Sequence, residues 1–276
     1  MPIARKHWDH TGPQKRAYVQ NQRGAKSRRR ELSQNFLTDR TAIASVLQAA
    51  RPRPDDLIVE VGAGRGALTR ELARSCRKVV AFEIDERLAG SLPDIPRVQV
   101  VHGDFLRAEP PEEEFAVVGN IPFAVTARIV DWCLGADRLT SATMVTQLEY
   151  ARKRTGDYGR WTRLTVETWP LFEWRLHGRI PRRSFRPMPA VDCGILRLTR
   201  RAQALLPQGS LPDFRDLVSL GFTGVGGSLH ASLRRHHSAP RLRDAFDAAE
   251  LDRRTVVGFA PPGRWITLFR RLHRID

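Results

Sequence analysis

The spacing of apolar positions changes three times along this chain. Up to residue 31 there is no apolar periodicity; the segment is polar and basic and reads as a flexible arm. From Thr38, TDRTAIASVLQAA sets Ile43, Val46, Leu47 and Ala50 at helical intervals, with Thr38 or Asp39 available as cap and Pro52 to stop the helix. Short β-branched runs then take over. DLIVEVGAG, KVVAFEID, VQVVHGDF, FAVVGN and SATMVTQ predict strands, and RGALTRELARSC and VTARIVDWCLGA predict amphipathic helices among them. This alternation predicts an α/β fold built on a mainly parallel sheet covered on both faces. LTVETWPLFEWRLHGRI and VDCGILRLTRR predict a helix and two closing strands, and ALLPQGSLPDF reads as a linker. Beyond it FRDLVSLGF, SLHASLRR, RLRDAFDAAEL and WITLFRRLHR predict helices. The expected organisation is a basic arm (1–31), an α/β catalytic domain (32–200) and a small all-α C-terminal domain (201–276), too small and too basic to be the catalytic body.

Composition adds constraints. The 276 residues are 41% hydrophobic, and no apolar run approaches the ~18 residues of a membrane span. The opening MPIARKHWDHTGPQKR holds no apolar core of about seven residues, so no secretory leader is read there and a cytoplasmic protein is expected. Cys76, Cys133 and Cys193 are far apart, without a C-x-x-C, and read as core thiols. No metal site is expected. The formal net charge of +16 changes the picture, because the bases cluster. Nine Lys or Arg fall within residues 1–31, Arg28, Arg29 and Arg30 among them; the segment 152–163, opening on Arg152 and Lys153, is a second group, Arg175, Arg179, Arg182, Arg183 and Arg186 in 175–186 a third, and the C-terminal helices of 201–276 are Arg-rich as well. Such clusters predict a polyanionic partner.

The motif EVGAGRGAL, between a predicted strand and a predicted helix, has the chemistry of a cofactor loop. Gly62 allows a tight turn, Gly64 lets a ligand approach the backbone, and Glu83 ends the following strand, where a carboxylate accepts ribose hydroxyls. The glycines alone fit a dinucleotide as well as S-adenosylmethionine. Glu60 favours the second, since a carboxylate beside the loop orients a cationic amino group and repels a pyrophosphate. Asp104 in HGDF is placed to accept from an adenine amino group with Phe105 packing on the ring; an Asx turn is the other reading of Asp104.

VVGNIPFAV puts an amide, a proline and an aromatic ring at a strand end. Asn-x-Pro is ordinary turn chemistry, but at the carboxyl edge of an open α/β sheet these residues suit methylation of an exocyclic amine. The adenine amino nitrogen is a poor nucleophile because its lone pair is delocalised into the ring. The Asn120 side-chain oxygen and the Ile121 carbonyl, accepting its two N–H groups, draw it toward tetrahedral geometry; Pro122 fixes that carbonyl and Phe123 stacks on the base. No strong base is needed, provided the adenine is unpaired or flipped out.

With these motifs in order, the chain resembles the rRNA adenine N6-methyltransferases, and most closely the Erm family of macrolide–lincosamide–streptogramin resistance enzymes that modify 23S rRNA. The resemblance runs from Arg29 onward through RRELSQNFL, EVGAGRGALT, Glu83, GDF, NIPF and FRPMPAVD at 185–192. It implies a Rossmann-like methyltransferase fold, S-adenosyl-L-methionine as donor, S-adenosyl-L-homocysteine as product, and N6-methylation of one adenine in the peptidyl-transferase loop. It further implies cofactor contacts from Gln34 and Asn35, a cofactor contact for Asn120, and a role for Phe185 in holding the target adenine opposite Phe123. A monomer is expected. Small-subunit rRNA dimethyladenosine transferases share most motifs, but commonly show N-L-P-Y in place of NIPF and a Lys where this chain has Ala190; DNA adenine methyltransferases generally carry Pro-Pro in that motif. A non-catalytic RNA-binding factor and a dinucleotide oxidoreductase are the competing classes, and the second explains neither NIPF nor the basic arm.

Overall fold

In the computed structural model, which describes residues 34–275, the chain enters through a two-residue strand, β1 (Phe36–Leu37), and helix α1 (Arg40–Ala50). Asp39 caps α1 by accepting from the Ala42 N–H at 2.9 Å. Arg51 ends it at φ 51°, one residue before Pro52. Then come β2 (Leu57–Val61), α2 (Ala67–Ser75), β3 (Lys78–Glu83), α3 (Glu86–Ser91) and β4 (Val98–His102). A second set follows with β5 (Phe115–Asn120), α4 (Thr126–Gly135) and β6 (Leu139–Gln147). Helices α5 (Leu148–Thr155) and α6 (Arg163–Thr168) precede β7 (Phe172–Ile180), β8 (Phe185–Arg186) and β9 (Cys193–Arg200).

The main sheet runs β4-β3-β2-β5-β6-β9-β7. Its first five strands are parallel, while β9 is antiparallel to β6 and β7 to β9. The closing pair is antiparallel because the stretch joining β7 to β9 holds no crossover helix, and a parallel pair needs one. From β2 the chain moves outward to β3 and β4, then returns to the other side as β5. The carboxyl ends of β2 and β5 therefore diverge, which is where an open α/β sheet forms its crevice. Gly119 lets these strands close up: a Cβ there would lie 2.5 Å from the Val61 carbonyl oxygen.

Neighbours on β2 fall into different cores, as the two-residue period of a strand requires. Ile58 packs with α1 and α2, whereas Leu57, Val59 and Val61 pack with α4. Cys76, Cys133 and Cys193 are buried and free, and burial pushes the Cys133 and Cys193 thiols up to about 12, as core thiols should be. A third core gathers α7 (Leu211–Gly221), α8 (Leu229–Leu233), α9 (Ala239–Ala248) and α10 (Pro262–His273). It also takes Val166 from α6, with Trp161 and Trp169 packed against it. Residue 200 closes the last strand, but the packing boundary runs through α6. No helix among the described residues is long and apolar enough to cross a membrane.

Candidate active site

A cleft of about 1080 Å³, its open mouth included, lies at the carboxyl ends of β2, β3, β4 and β5. Most of the residues singled out by sequence meet in it: Gln34, Asn35, Gly62, Gly64, Glu83, Asp104, Phe105 and all of Asn120, Ile121, Pro122 and Phe123.

The glycine loop is shaped by backbone that only glycine adopts freely. Gly62, Gly64 and Gly66 have φ of 76°, 57° and 76°. A Cβ on Gly62 would stand 3.5 Å from the Asn120 carbonyl oxygen, so this loop and the NIPF corner are in contact. A Cβ on Gly64 would come 3.1 Å from the Phe36 ring, over which Arg65 lies at 5.0 Å. The close approach that Gly64 permits is thus made here by Phe36.

Glu83 is buried, and its two oxygens accept from the Gly64 N–H at 2.7 Å and the Asp85 N–H at 2.9 Å. It ties the glycine loop to the end of β3 while keeping further lone pairs for a hydroxyl. Glu60 departs from expectation. It lies on the other side of the loop, in a smaller pocket with Gly62, Gly64 and Arg65. Its carboxyl is buried and Oε2 has no hydrogen-bond partner. Burial pushes its pKa up from 4.5 to about 7; the neighbouring Thr69 groups lower it, and the charge of Glu83 adds to the rise.

Asp104 meets both readings: it lines the cleft while Oδ1 accepts from the Leu106 N–H at 3.0 Å, as in an Asx turn. Phe105 stands edge-on to Phe82 at 5.6 Å and tilts against Trp132 at 4.4 Å, so its ring is held before any ligand arrives.

At the NIPF corner Asn120 donates from Nδ2 to the Asn35 carbonyl at 2.6 Å, which leaves its Oδ1 as the acceptor. The Ile121 N–H donates to the Val145 carbonyl at 3.3 Å. Pro122, at φ −62°, opens a short 3₁₀ turn over Phe123–Val125, and its carbonyl accepts from the Val125 N–H at 3.2 Å and from Thr126 Oγ1 at 3.4 Å. The backbone is pinned on both sides of the Ile121 carbonyl. Phe123 is half-buried at the cleft wall.

Phe185 requires a correction. It is fully buried in the core with Leu37 and Ile180 and does not line the cleft; its place in β8, paired with β1, spends the ring on packing. Of the basic residues, Arg28, Arg29 and Arg30 lie outside the described residues, as does Ser33. Arg152 is engaged with Asp157 at 2.9 Å and with the Tyr158 hydroxyl, whereas Lys153, Arg182 and Arg183 are exposed. Phe36, Phe82 and Arg128 also line the cleft without having been predicted individually. The first two adjoin Asn35 and Glu83, and that adjacency was the available signal; Arg128 carried none beyond its place in the helix after NIPF. Among the described residues no group of His, Cys, Asp or Glu is arranged to hold a metal ion.

The pattern of the ribosomal RNA adenine dimethylase family matches residues 25–274. An rRNA methyltransferase from Streptomyces thermotolerans is 55% identical over 269 residues, covering 95% of this chain and 90% of its own length. An rRNA adenine N-6-methyltransferase from Streptomyces fradiae is 57% identical over 253 residues, covering 90% of this chain and 79% of its own. The crystal structure of the 23S rRNA methyltransferase ErmE superposes with a TM-score of 0.84 at 52% identity, over 87% of this chain and 100% of that one.

Proposed function

We propose, from the premise that this chain belongs to the ribosomal RNA adenine dimethylase family and is an rRNA adenine N6-methyltransferase, that it methylates one adenine of 23S rRNA and thereby confers resistance to macrolide-type antibiotics. Resemblance to ErmE supports the choice of rRNA. The donor we infer is S-adenosylmethionine. An acceptor without a donor supports that choice: Gln34 Oε1 lines the cleft with no hydrogen-bond partner, and such a donor would bring ammonium, hydroxyl and amino protons there. In this reading Gln34, Asn35, Glu60, Gly62 and Gly64 hold its amino-acid end, Glu83 its ribose, and Asp104 and Phe105 its adenine, with Asn120 between donor and substrate. When bound it supplies an electrophilic methyl group on a sulfonium.

The protein's own work falls on the substrate amine. The observation that carries the proposal is the commitment of Asn120 Nδ2 to the Asn35 carbonyl, which gives the amide one orientation, with the oxygen as acceptor. Asn120 Oδ1 and the Ile121 carbonyl accept the two amino protons and direct the lone pair out of the base plane. Because the backbone around both acceptors is pinned, little reorganisation is needed at the moment of reaction. Phe123 stacks on the unpaired base, and the product's surplus proton leaves to water. Exposed Lys153, Arg182 and Arg183 grip phosphates by charge.

The test is incubation of the purified chain with methyl-labelled S-adenosylmethionine and, separately, protein-free 23S and 16S rRNA. Label at a single adenine of 23S rRNA is expected, with nucleoside mass distinguishing one methyl from two; label confined to 16S rRNA would overturn the substrate assignment.

A further inference from the structure

Away from the cleft, where α5 and α6 meet the helical C-terminal region, two aromatic rings face solvent. Tyr158 is 65% exposed and Phe259 is 46% exposed, although their burial would be worth more to the fold than that of most residues. They are neighbours: a Cβ on Gly159 would lie 3.9 Å from the Phe259 ring, and the Trp161 N–H donates to the Gly258 carbonyl at 2.7 Å. Each ring carries a guanidinium. Arg152 lies 5.2 Å from the centroid of Tyr158, and Arg160 lies 5.1 Å from that of Phe259. Exposed Lys153 and Val256 share these segments.

The backbone beneath is also unusual. Tyr158 sits at φ 63°, between Gly156 at 71° and Gly159 at 69°, in a left-handed region that a bulky residue enters only at a cost. The Tyr158 side chain is left open to solvent on this strained backbone, and what it adds to the fold is the contact of its hydroxyl and ring with Arg152. Arginine planes and aromatic faces in a basic setting are the surface on which unpaired bases stack.

We propose that Tyr158, Phe259 and the arginines over them form a stacking platform for unpaired nucleotides of the rRNA substrate outside the methylated adenine. This rests on the reading of the chain as an rRNA methyltransferase. Charge complementarity argues for nucleic acid, because among the described residues neither Arg160 nor Lys153 is in an ion pair within 4 Å and the chain carries a formal +16.

The experiment measures kcat and KM of the full chain on protein-free 23S rRNA. Tyr158→Ala and Phe259→Ala should each raise KM for RNA roughly ten-fold, in line with the loss of one stacked base, with kcat and cofactor affinity unchanged. Tyr158→Phe should keep the wild-type KM, since stacking needs only the ring. Tyr158→Gly suits the left-handed backbone, so it should hold or raise Tm and still raise KM as Tyr158→Ala does, which separates stacking from misfolding. An unchanged KM in both alanine variants of an active enzyme, or failure of Tyr158→Phe to retain it, overturns the platform alone. A wild-type chain that labels no RNA overturns the parent reading, and the platform with it.

Discussion

At the cleft, Asn120 donates to the Asn35 carbonyl at 2.6 Å, Glu83 accepts from two backbone N–H groups, and the Ile121 N–H is held by Val145. On the outer surface the pattern is reversed: Arg74 meets Glu71, Arg77 meets Glu113, Arg264 meets Glu250 and Arg271 meets Asp244, side chain to side chain and open to water. Exposed pairs of that kind contribute about 0–1 kcal/mol each and release their arginines easily. A cleft residue is therefore difficult to replace, because its position is defined by main chain on both sides. A surface arginine acts as one of many, and its effect is a fraction of a total.

The contrast can be broken most decisively at Asn120. Asn120→Ala should lower turnover by about a hundred- to a thousand-fold, the usual effect of losing one preorganised transition-state hydrogen bond. Glu83→Ala should instead act mainly on cofactor affinity, read by calorimetry; equal loss of cofactor affinity in the two variants would merge roles that the geometry keeps apart.

Next in size is the pH response of Glu60. Its carboxyl ionises at about 7 in the folded protein and near 4.5 when unfolded, so between those values the native state holds the extra proton. Stability should accordingly fall as pH rises from 4.5 to 7 and level off above, by at most roughly 3.5 kcal/mol at ~1.4 kcal/mol per pKa unit. Glu60→Gln should flatten that part of the profile without cofactor. Denaturant melts at pH 5 and pH 8 check it, and parallel profiles for wild type and variant would refute the buried-carboxyl account.

Gly119→Ala tests the approach of β2 and β5 that brings the two halves of the cleft together. Its methyl would stand 2.5 Å from the Val61 carbonyl oxygen, and a cost of about 1–3 kcal/mol is expected, the usual size of overpacking, read from a shifted denaturation midpoint. The smallest effect belongs to the surface: Arg183→Ala should weaken RNA binding a few-fold and reduce the salt dependence by about one phosphate contact. A loss as large as that of Asn120→Ala would place Arg183 with the cleft residues and dissolve the comparison.

Legibility in the sequence followed the range of each interaction. Capping by Asp39, the strand LIVEV and the glycine turn at 62–66 depend on neighbours within a few residues, and all were readable. Helix α3 was not, because six residues with only Ala89 buried leave no periodicity to detect. The two-residue strands β1 and β8 were invisible for the same reason, and Phe185 was misplaced with them. Arg152 looked like a free cation until the turn at Asp157–Gly159 brought Asp157 against it.

By itself, then, the sequence determined the α/β alternation, the glycine loop, the carboxylate at the end of β3 and the NIPF corner, since local spacing encodes which backbone each segment can adopt. Tertiary structure alone decided which way the Asn120 amide points, because its partner Asn35 lies 85 residues earlier. It also decided that Glu60 is a desolvated carboxyl with a pKa near 7, and that Tyr158 and Phe259 share a surface. Orientation, desolvation and adjacency belong to the packed environment, which exists only once distant segments have met.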